Sequence, residues 1–311
     1  MRKFFLCSFS CFLLVSITKA NSSYLSDTSF ITGRWDITIN ISGKTYPSWL
    51  EIERSGNNSI VGQFVGIVGS ARPISQISFS NGRISFSIPP QWERGANNLS
   101  FEATIQADSL TGSITFPDGK NYPCSAVHSP SLLRKSLPAW DKPIHLITTI
   151  LNGWHISGQN NQWIIENGVL KSPKPGSNLI TDGLFTDFKL HIEFRYSKNG
   201  NSGVYLRGRY EVQIADTYEA AQKDQFGAVY GFLPPSEMAA KKPDEWQSYD
   251  ITLIGRMITI VANGKTIICN REIPGITGGA LNSKEAEPGP LMLQGDHGPI
   301  EYRNIVITPS K

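Results

Sequence analysis

The sequence predicts an all-β fold, and three observations support this prediction. Short runs that alternate apolar and polar residues recur along the chain, which is typical of strands in antiparallel sheets. Asn-Gly and Asp-Gly pairs lie between or beside such runs, and they suit hairpin turns whose two central residues need a positive φ. No stretch sustains a helical period, and only short helical turns are expected, at 218–225 and 235–241. The turn pairs are Asn81-Gly82, Asp118-Gly119, Asn167-Gly168 and Asn263-Gly264.

The first element, residues 1–20, has the three-part pattern of a secretory signal peptide. Arg2 and Lys3 form a basic start, an apolar run covers 4–17, and Ala20 offers a small residue at the cleavage point. We therefore expect an exported protein, either periplasmic or secreted.

Removal of this segment changes the charge and the cysteine count. The chain has 29 basic and 26 acidic residues, a formal charge of +3, and the segment contains three of the cations and no acid. The mature chain is therefore neutral, which gives no electrostatic case for binding nucleic acid or an anionic membrane. No later apolar stretch approaches the roughly 18 residues of a transmembrane helix. Two cysteines remain, Cys124 and Cys269, either paired or as isolated buried thiols.

The mature length suits about two domains. The first, 25–127, opens with Gly33-x-Trp35 and continues as short strands, which resembles a small lipocalin-like β-barrel or meander. We interpret it as an accessory β-domain, whose loop around Trp92 could border a cleft. A polar, proline-bearing linker covers 128–144, and the second domain covers 145–309.

The second domain contains a series of short motifs in a fixed order. They are Gly153-Trp154, Leu179-x-Thr181, Asn201-Ser202-Gly203-Val204-Tyr205-Leu206-Arg207, Tyr210-Glu211-Val212-Gln213-Ile214, Gly227-Ala228-Val229-Tyr230-Gly231, Glu245-Trp246-Gln247, Leu293-Gln294-Gly295-Asp296-His297 and Tyr302-Arg303-Asn304-Ile305. This order resembles the 3-keto-disaccharide hydrolase domain family over the whole of 145–309. The resemblance implies a concanavalin-A-like jelly-roll β-sandwich with a carbohydrate cleft on its concave sheet.

The alternation of residues along three strands agrees with such a sheet. Side chains two residues apart share a face of a strand. The runs 190–194, 203–207 and 211–215 each have one apolar face and one polar face. We expect these strands to be neighbours whose polar faces form the concave binding surface. The polar residues of this surface would be Glu193, Arg207, Glu211 and Gln213.

The carboxylate spacing bears on the reaction. An ordinary glycosidase needs two carboxylates across the scissile bond. The nearest carboxylate after Glu211 is Asp216, and the odd spacing places the two on opposite faces of a regular strand. The family resemblance implies a different reaction, on sugars already oxidised to a ketone at C3. A base removes the acidified C2 proton, an acid protonates the departing oxygen at C1, and water then adds.

These considerations give the candidate site. Glu211 is the acid/base candidate, and His297, in the Gly-rich loop 295–298, is the alternative base. The substrate-binding candidates are Glu193, Arg207, Gln213, Tyr230 and Gln294.

Cofactors and partners follow from the same reaction. The histidines lack the spacing of a three-His zinc site, which argues against bound zinc. A divalent cation such as Ca²⁺ is still a possible cofactor, but its ligands are unknown. No nucleotide fingerprint is present, so a separate oxidoreductase would make the keto sugar. The expected ligand is a sugar or glycoside.

Two alternatives remain open at this point. The first is a lectin-like carbohydrate-binding protein without chemistry, because fold does not imply function. The second is an ordinary β-glucanase-type glycoside hydrolase.

Overall fold

The computed structural model describes residues 29–57, 59–148, 150–217 and 225–311. The signal-peptide prediction and nearly all of the expected turn at 218–225 lie outside these residues. The all-β prediction is confirmed, since no helix occurs in the described part of the chain. The helical turn expected at 235–241 was wrong. Its backbone donors bond to neighbouring segments instead: Ser236 N donates to Ile267 O at 2.8 Å, and Lys241 N donates to the Gln247 side chain at 2.8 Å.

The N-terminal strands form one antiparallel sheet of nine. They are β1 (Gly33–Ile41), β2 (Lys44–Ser55), β3 (Ser59–Val65), β4 (Arg72–Ile74), β5 (Ser78–Ser80), β6 (Arg83–Ile88), β7 (Leu99–Gln106), β8 (Ser109–Thr115) and β9 (Asn121–His128). Their order is β4-β3-β2-β1-β9-β8-β7-β6-β5, so two meanders join where β1 pairs with β9. Alternate residues of β1, Trp35, Ile37 and Ile39, are fully buried in the core of this sheet. The meander of the sequence prediction is present. Its edge strand β4 approaches β6, the second strand from the opposite edge, without a described ladder between them.

The C-terminal strands form two further sheets. They are β10 (Ile144–His145), β11 (Trp154–Ile156), β12 (Ile164–Glu166), β13 (Val169–Ser172), β14 (Leu179–Thr181), β15 (Phe188–Tyr196), β16 (Asn201–Leu206), β17 (Tyr210–Ala215), β18 (Gln247–Ile254), β19 (Met257–Ala262), β20 (Lys265–Glu272), β21 (Met292–Leu293) and β22 (Ile300–Pro309). One sheet has the order β12-β13-β22-β15-β18-β19-β20, with β10 beside β22. The other has the order β11-β14-β21-β16-β17, and together they form a β-sandwich.

The core of the sandwich lies between one face of each sheet. Ile192 and Phe194 of β15 face inward from the eight-stranded sheet, and Val204, Val212 and Ile214 face inward from the five-stranded one. All five are fully buried. Burial of apolar surface on this scale is the main stabilising contribution to the fold.

The N-terminal meander packs directly against the sandwich. Trp49 of β2 points away from the meander core and joins the sandwich core, where its ring meets Phe232 edge-on at 5.2 Å between centroids. Gly275 leaves room for this indole, since a Cβ there would lie 2.1 Å from Trp49 Nε1. A backbone bond from Gly279 N to Ile67 O at 2.8 Å adds to the contact. The meander is therefore held in a fixed position beside the five-stranded sheet.

The two cysteines of the mature chain are both free. Cys124 is buried in the meander, where burial raises the pKa of its thiol to about 12, whereas Cys269 is exposed on β20. They do not pair because they belong to different sheets, and the expectation of a buried thiol at Cys269 was wrong.

Among the described residues there is no helix with the length and apolar character needed to span a bilayer.

Candidate active site

A cleft of about 950 Å³ lies on the face of the five-stranded sheet that points away from the sandwich core. Residues of β16, β17 and the loop after β21 form its floor. Two loops of the meander, around Ser70 and around Trp92, form one wall. The cleft is thus shared between the two parts of the chain.

Glu211 lies at the floor of this cleft. It is on β17, only 3% of its surface is exposed, and it is paired in register with Tyr205 of β16. The Tyr205 hydroxyl donates to Glu211 Oε2 at 2.9 Å. Burial raises the pKa of Glu211 to about 8, and the hydrogen bond from Tyr205 and the nearby His297 oppose that shift. Glu211 is therefore a carboxyl group that gains and loses its proton close to neutral pH.

Gly203 makes room for this carboxylate. It lies beside Glu211 on the neighbouring strand, and a Cβ at this position would be 2.3 Å from Glu211 Oε1. Any larger residue at 203 would have to displace the carboxyl group. Position 203 of this motif is therefore a glycine because a side chain there would collide with Glu211.

A histidine–aspartate pair faces Glu211 across the cleft. His297 Nδ1 lies 2.6 Å from Asp296 Oδ1, and both side chains line the cleft. This hydrogen bond raises the pKa of His297, and the charges of Asp296 and Glu211 add to the effect. The loop is fixed at Gly295, whose N donates to Asn178 Oδ1 at 2.9 Å. With Nδ1 engaged, Nε2 is the ring nitrogen available for proton transfer.

Side-chain amides and a phenol surround the acid/base groups. Gln213 donates to Asn201 Oδ1 at 2.8 Å, and Gln294 carries a buried Oε1 without a hydrogen-bond partner. The Tyr230 backbone N donates to Glu211 O at 3.0 Å, which fixes Tyr230 beside the floor. Amides and hydroxyls of this kind suit the hydroxyl groups of a sugar.

Glu193 does not belong to this site, and its expected place on the concave face was wrong. Its strand, β15, pairs with β18 and β22 in the eight-stranded sheet. Glu193 points outward from that sheet, where it accepts hydrogen bonds from Arg303 Nε at 2.6 Å and Asn304 Nδ2 at 2.7 Å. Alternation gave the correct face of the strand, but the strand lies in the other sheet.

The expected position of Arg207 was also wrong. Strand β16 ends at Leu206, and Arg207 and Gly208 both have positive φ, 53° and 64°, in the tight turn that leads to β17. The turn directs the guanidinium into the protein, where Nη2 donates to the carbonyl oxygens of Glu285 and, at 2.8 Å, Glu287. Arg207 is 1% exposed and does not line the cleft.

The structure adds residues that the sequence analysis did not select. Asp296 and Tyr205 contact the two acid/base candidates, and Asn178 and Asn201 line the cleft. The loop around Trp92, which the sequence predicts could border a cleft, lies in the wall of this one. Asp296 and Tyr205 could have been found from their positions, one adjacent to His297 and the other on the predicted polar face. The two asparagines give no such signal. Within the described residues, no three His, Cys, Asp or Glu side chains gather as a metal-ligand group.

Comparisons with known proteins identify one matching family and several similar solved structures. The profile of the 3-keto-alpha-glucoside-1,2-lyase-like domain matches residues 148–308, just over half of the 311 residues. A candidate glycosyl hydrolase from Parabacteroides distasonis is 25% identical, covers 54% of this chain and 98% of its own, and gives a TM-score of 0.43. A second such protein from the same organism is 17% identical, covers 54% of this chain and 94% of its own, and gives 0.44.

The similar solved structures also include a carbohydrate-binding module. The carbohydrate-binding module CBM66 from Bacillus subtilis is 14% identical, covers 49% of this chain and 93% of its own, and gives a TM-score of 0.32. No curated protein matches the chain at a significant level.

Proposed function

The chain belongs to the 3-keto-alpha-glucoside-1,2-lyase-like domain family, and from this premise we propose that it hydrolyses 3-keto-glycosides by elimination followed by addition of water. The coarser function, a glycosyl hydrolase-like protein acting on carbohydrate, is that of the family. One observation supports the finer proposal above all others. A buried carboxyl group with a pKa of about 8, Glu211, faces an Asp296–His297 pair in one cleft.

The first step needs a base at C2. A ketone at C3 acidifies the C2 proton, and the carboxylate of Glu211 takes it. Burial makes Glu211 a stronger base than an ordinary carboxylate, because it destabilises the charged form. Tyr205 holds one carboxylate oxygen, so the other is oriented for the transfer. Removal of the proton leaves a negative charge on the ketone oxygen, and in this proposal the amides of Gln213 and Gln294, which line the cleft, stabilise it.

The second step needs an acid at the C1 oxygen. The His297 imidazolium donates its Nε2 proton to the departing oxygen as the C1–O bond breaks, which leaves an enone and a free alcohol. Asp296 raises the pKa of His297, which extends the pH range over which the imidazolium is available as a proton donor. Water then adds at C1 of the enone, with the neutral imidazole taking a proton from the water and Glu211 returning one to C2. The 3-keto-glycoside and water are thereby converted to a 3-keto sugar and an alcohol.

The ordinary glycosidase mechanism has less support in this cleft. Asp216, the carboxylate closest to Glu211 in sequence, accepts a hydrogen bond from Asn199 N at 2.8 Å and does not line the cleft. Asp296 is engaged with His297. Neither is placed as the free second carboxylate that a retaining or inverting glycosidase uses.

We also propose that the protein is exported and that another enzyme supplies its substrate. The signal-peptide pattern of 1–20 supports export to the periplasm or the medium. A separate oxidoreductase would have to supply the C3 ketone. Detection of the mature protein outside the cytoplasm of its host, with residues 1–20 removed, would test the first statement directly.

The function is tested with a matched pair of substrates, a 3-keto-glucoside and its unoxidised parent. We expect cleavage of the keto compound alone, because only its C2 proton is acidic enough for a single carboxylate. Cleavage of the parent would support an ordinary glycosidase, and binding of both without turnover would support a lectin-like protein.

A second set of assays measures turnover after dialysis of the protein against a chelator. Since the described residues gather no metal-ligand group of three, we expect turnover to persist; a loss restored by Ca²⁺ would assign the enolate contact to a cation.

The role of His297 gives a prediction that separates acid from base. His297→Gln should lose about 10²-fold or more of its turnover of alkyl 3-keto-glucosides, because general acid catalysis contributes on this scale. It should still exchange the C2 proton in D₂O, and a nitrophenyl leaving group, which needs no proton, should restore cleavage. With that substrate the rate should rise with pH toward about 8, where Glu211 becomes a carboxylate, and show no alkaline decrease.

A matched control exists for this variant. His155 makes the same contact, Nδ1 to Asp182 Oδ1 at 2.7 Å, on the same sheet but outside the cleft. His155→Gln should leave both reactions unchanged. Loss of C2 exchange in His297→Gln would instead make His297 the base and reverse the two roles.

A further inference from the structure

An exposed indole stands in the wall of the cleft. Trp92 is 67% exposed, although it belongs to one of the most apolar residue types, and it lies on the loop between β6 and β7 of the meander. It lines the same cleft as Glu211 and His297. An aromatic side chain left open to solvent in a polar cleft indicates a surface for a ligand.

The loop that carries Trp92 is held rigidly. Glu93, the next residue, forms an ion pair with Arg72 at 2.6 Å, and the two side chains are only 8% and 11% exposed. On the other side, Gln91 makes a two-way contact with Ser70, donating to its Oγ at 2.9 Å and accepting from its N at 3.0 Å. Two such anchors hold the loop on both sides of Trp92, so little conformational entropy of the loop is lost when a ligand stacks on the ring.

The loop is also fixed relative to the catalytic floor. A Cβ on Gly231 would lie 2.7 Å from Ser70 Cβ, and a Cβ on Gly278 would lie 2.2 Å from Gly69 O, so the two parts of the chain approach through glycines. Trp92 and Tyr230 line the cleft together, and the Tyr230 backbone N donates to Glu211 O at 3.0 Å. The loop of Trp92 therefore has a defined position beside the catalytic carboxyl.

We propose that Trp92, supported by Tyr230, forms a second subsite in which the indole stacks on the sugar ring on the far side of the scissile bond from the 3-keto ring. This inference rests on the proposed function, since it assigns Glu211 and His297 to the 3-keto ring. The wall on the meander side is then left for the leaving group. The apolar C–H face of a pyranose ring suits a large flat aromatic surface. The volume of about 950 Å³ lies at the upper end of the usual 300–1,000 Å³ range for ligand pockets, so it has room for more than one ring.

The test is equilibrium binding of a two-ring and a one-ring ligand, maltose and methyl α-glucoside, by calorimetry on the full mature chain. Trp92→Ala should weaken maltose binding roughly three- to tenfold, the scale of one aromatic stacking contact, and leave methyl α-glucoside unchanged. Trp92→Phe should retain most of the maltose affinity. Trp246→Ala is the matched control, since this indole lies against Arg195 and Arg303, outside the cleft, and should leave both affinities unchanged.

Three results would overturn the subsite. They are an equal loss for both ligands in Trp92→Ala, no loss for maltose, and a wild-type protein that binds maltose no more tightly than methyl α-glucoside. The comparison of maltose with methyl α-glucoside on the wild-type protein needs no variant, so the subsite can still be overturned if Trp92→Ala fails to fold. Neither ligand carries a ketone, and the readout is binding. A failure of 3-keto-glycoside turnover therefore leaves this result interpretable, and the two proposals can fail separately.

Discussion

Glu211→Gln is expected to fold as the wild-type protein does and to lose about 10²–10⁴-fold of its 3-keto-glycoside turnover, the usual contribution of a general base. The amide has nearly the same shape as the protonated carboxyl and can accept the Tyr205 hydrogen bond at the same position. It cannot take a proton from C2. The first chemical step is therefore lost while the cleft keeps its form, so the Michaelis constant should change little.

Two measurements identify the lost step. In D₂O, the wild-type protein should exchange the C2 proton of a 3-keto-glucoside and Glu211→Gln should not. A nitrophenyl leaving group should fail to rescue this variant, in contrast to His297→Gln. Glu193→Gln is the matched control, because Glu193 lies on the outer face of the other sheet, bonded to Arg303 and Asn304. Turnover of Glu211→Gln within a few-fold of the wild type would remove Glu211 from the base role.

The cleft residues that sequence predicts correctly all lie on regular strands or in a compact motif. Period-two alternation places Glu211 and Gln213 opposite the buried Val212 and Ile214, and the structure has this arrangement. Alternation is local, so the sequence shows it directly. The resembled motifs likewise contain Tyr230, Gln294 and His297, all of which line the cleft.

The residues that it predicts wrongly depend on long-range or turn geometry. Glu193 has the expected alternation, but which strands pair is decided by packing between distant segments, and β15 joins β18 and β22. Arg207 fails for a local reason, since a strand that ends one residue earlier turns the guanidinium away from the predicted face. The loop around Trp92 does border a cleft, as the sequence predicts, but which cleft it borders depends on the docking of the meander onto the sandwich. No pattern within either part of the chain reveals that docking.

A buried charge cluster centred on Glu285 lies where the meander meets the sandwich. Its side chain is fully buried, and it accepts hydrogen bonds from Arg256 Nε at 3.0 Å, Arg256 Nη2 at 2.6 Å and the Tyr210 hydroxyl at 2.7 Å. Asp36 of the meander lies next to it. Burial and the charge of Glu285 raise the pKa of Asp36, which favours a proton shared between the two carboxyl groups. One carboxylate thus connects β1, β17 and the turn after β18.

Glu285→Ala should therefore lower the free energy of unfolding by about 3–5 kcal/mol, the usual effect of removing one partner from a buried ion pair. Most of this loss comes from the groups left behind, because Arg256 is 5% exposed and would stay buried without a counter-charge. Guanidinium-induced unfolding followed by tryptophan fluorescence measures the change. Glu287→Ala is the control on the same loop: its side chain is 59% exposed and pairs with the exposed Lys284, so the change should stay within about 0.5 kcal/mol. Equal stabilities for the two variants would show that the Glu285 cluster does not hold the meander against the sandwich. A loss confined to Glu285→Ala, with the cleft still binding methyl α-glucoside below the transition, would assign the cluster a structural role separate from the chemistry at Glu211.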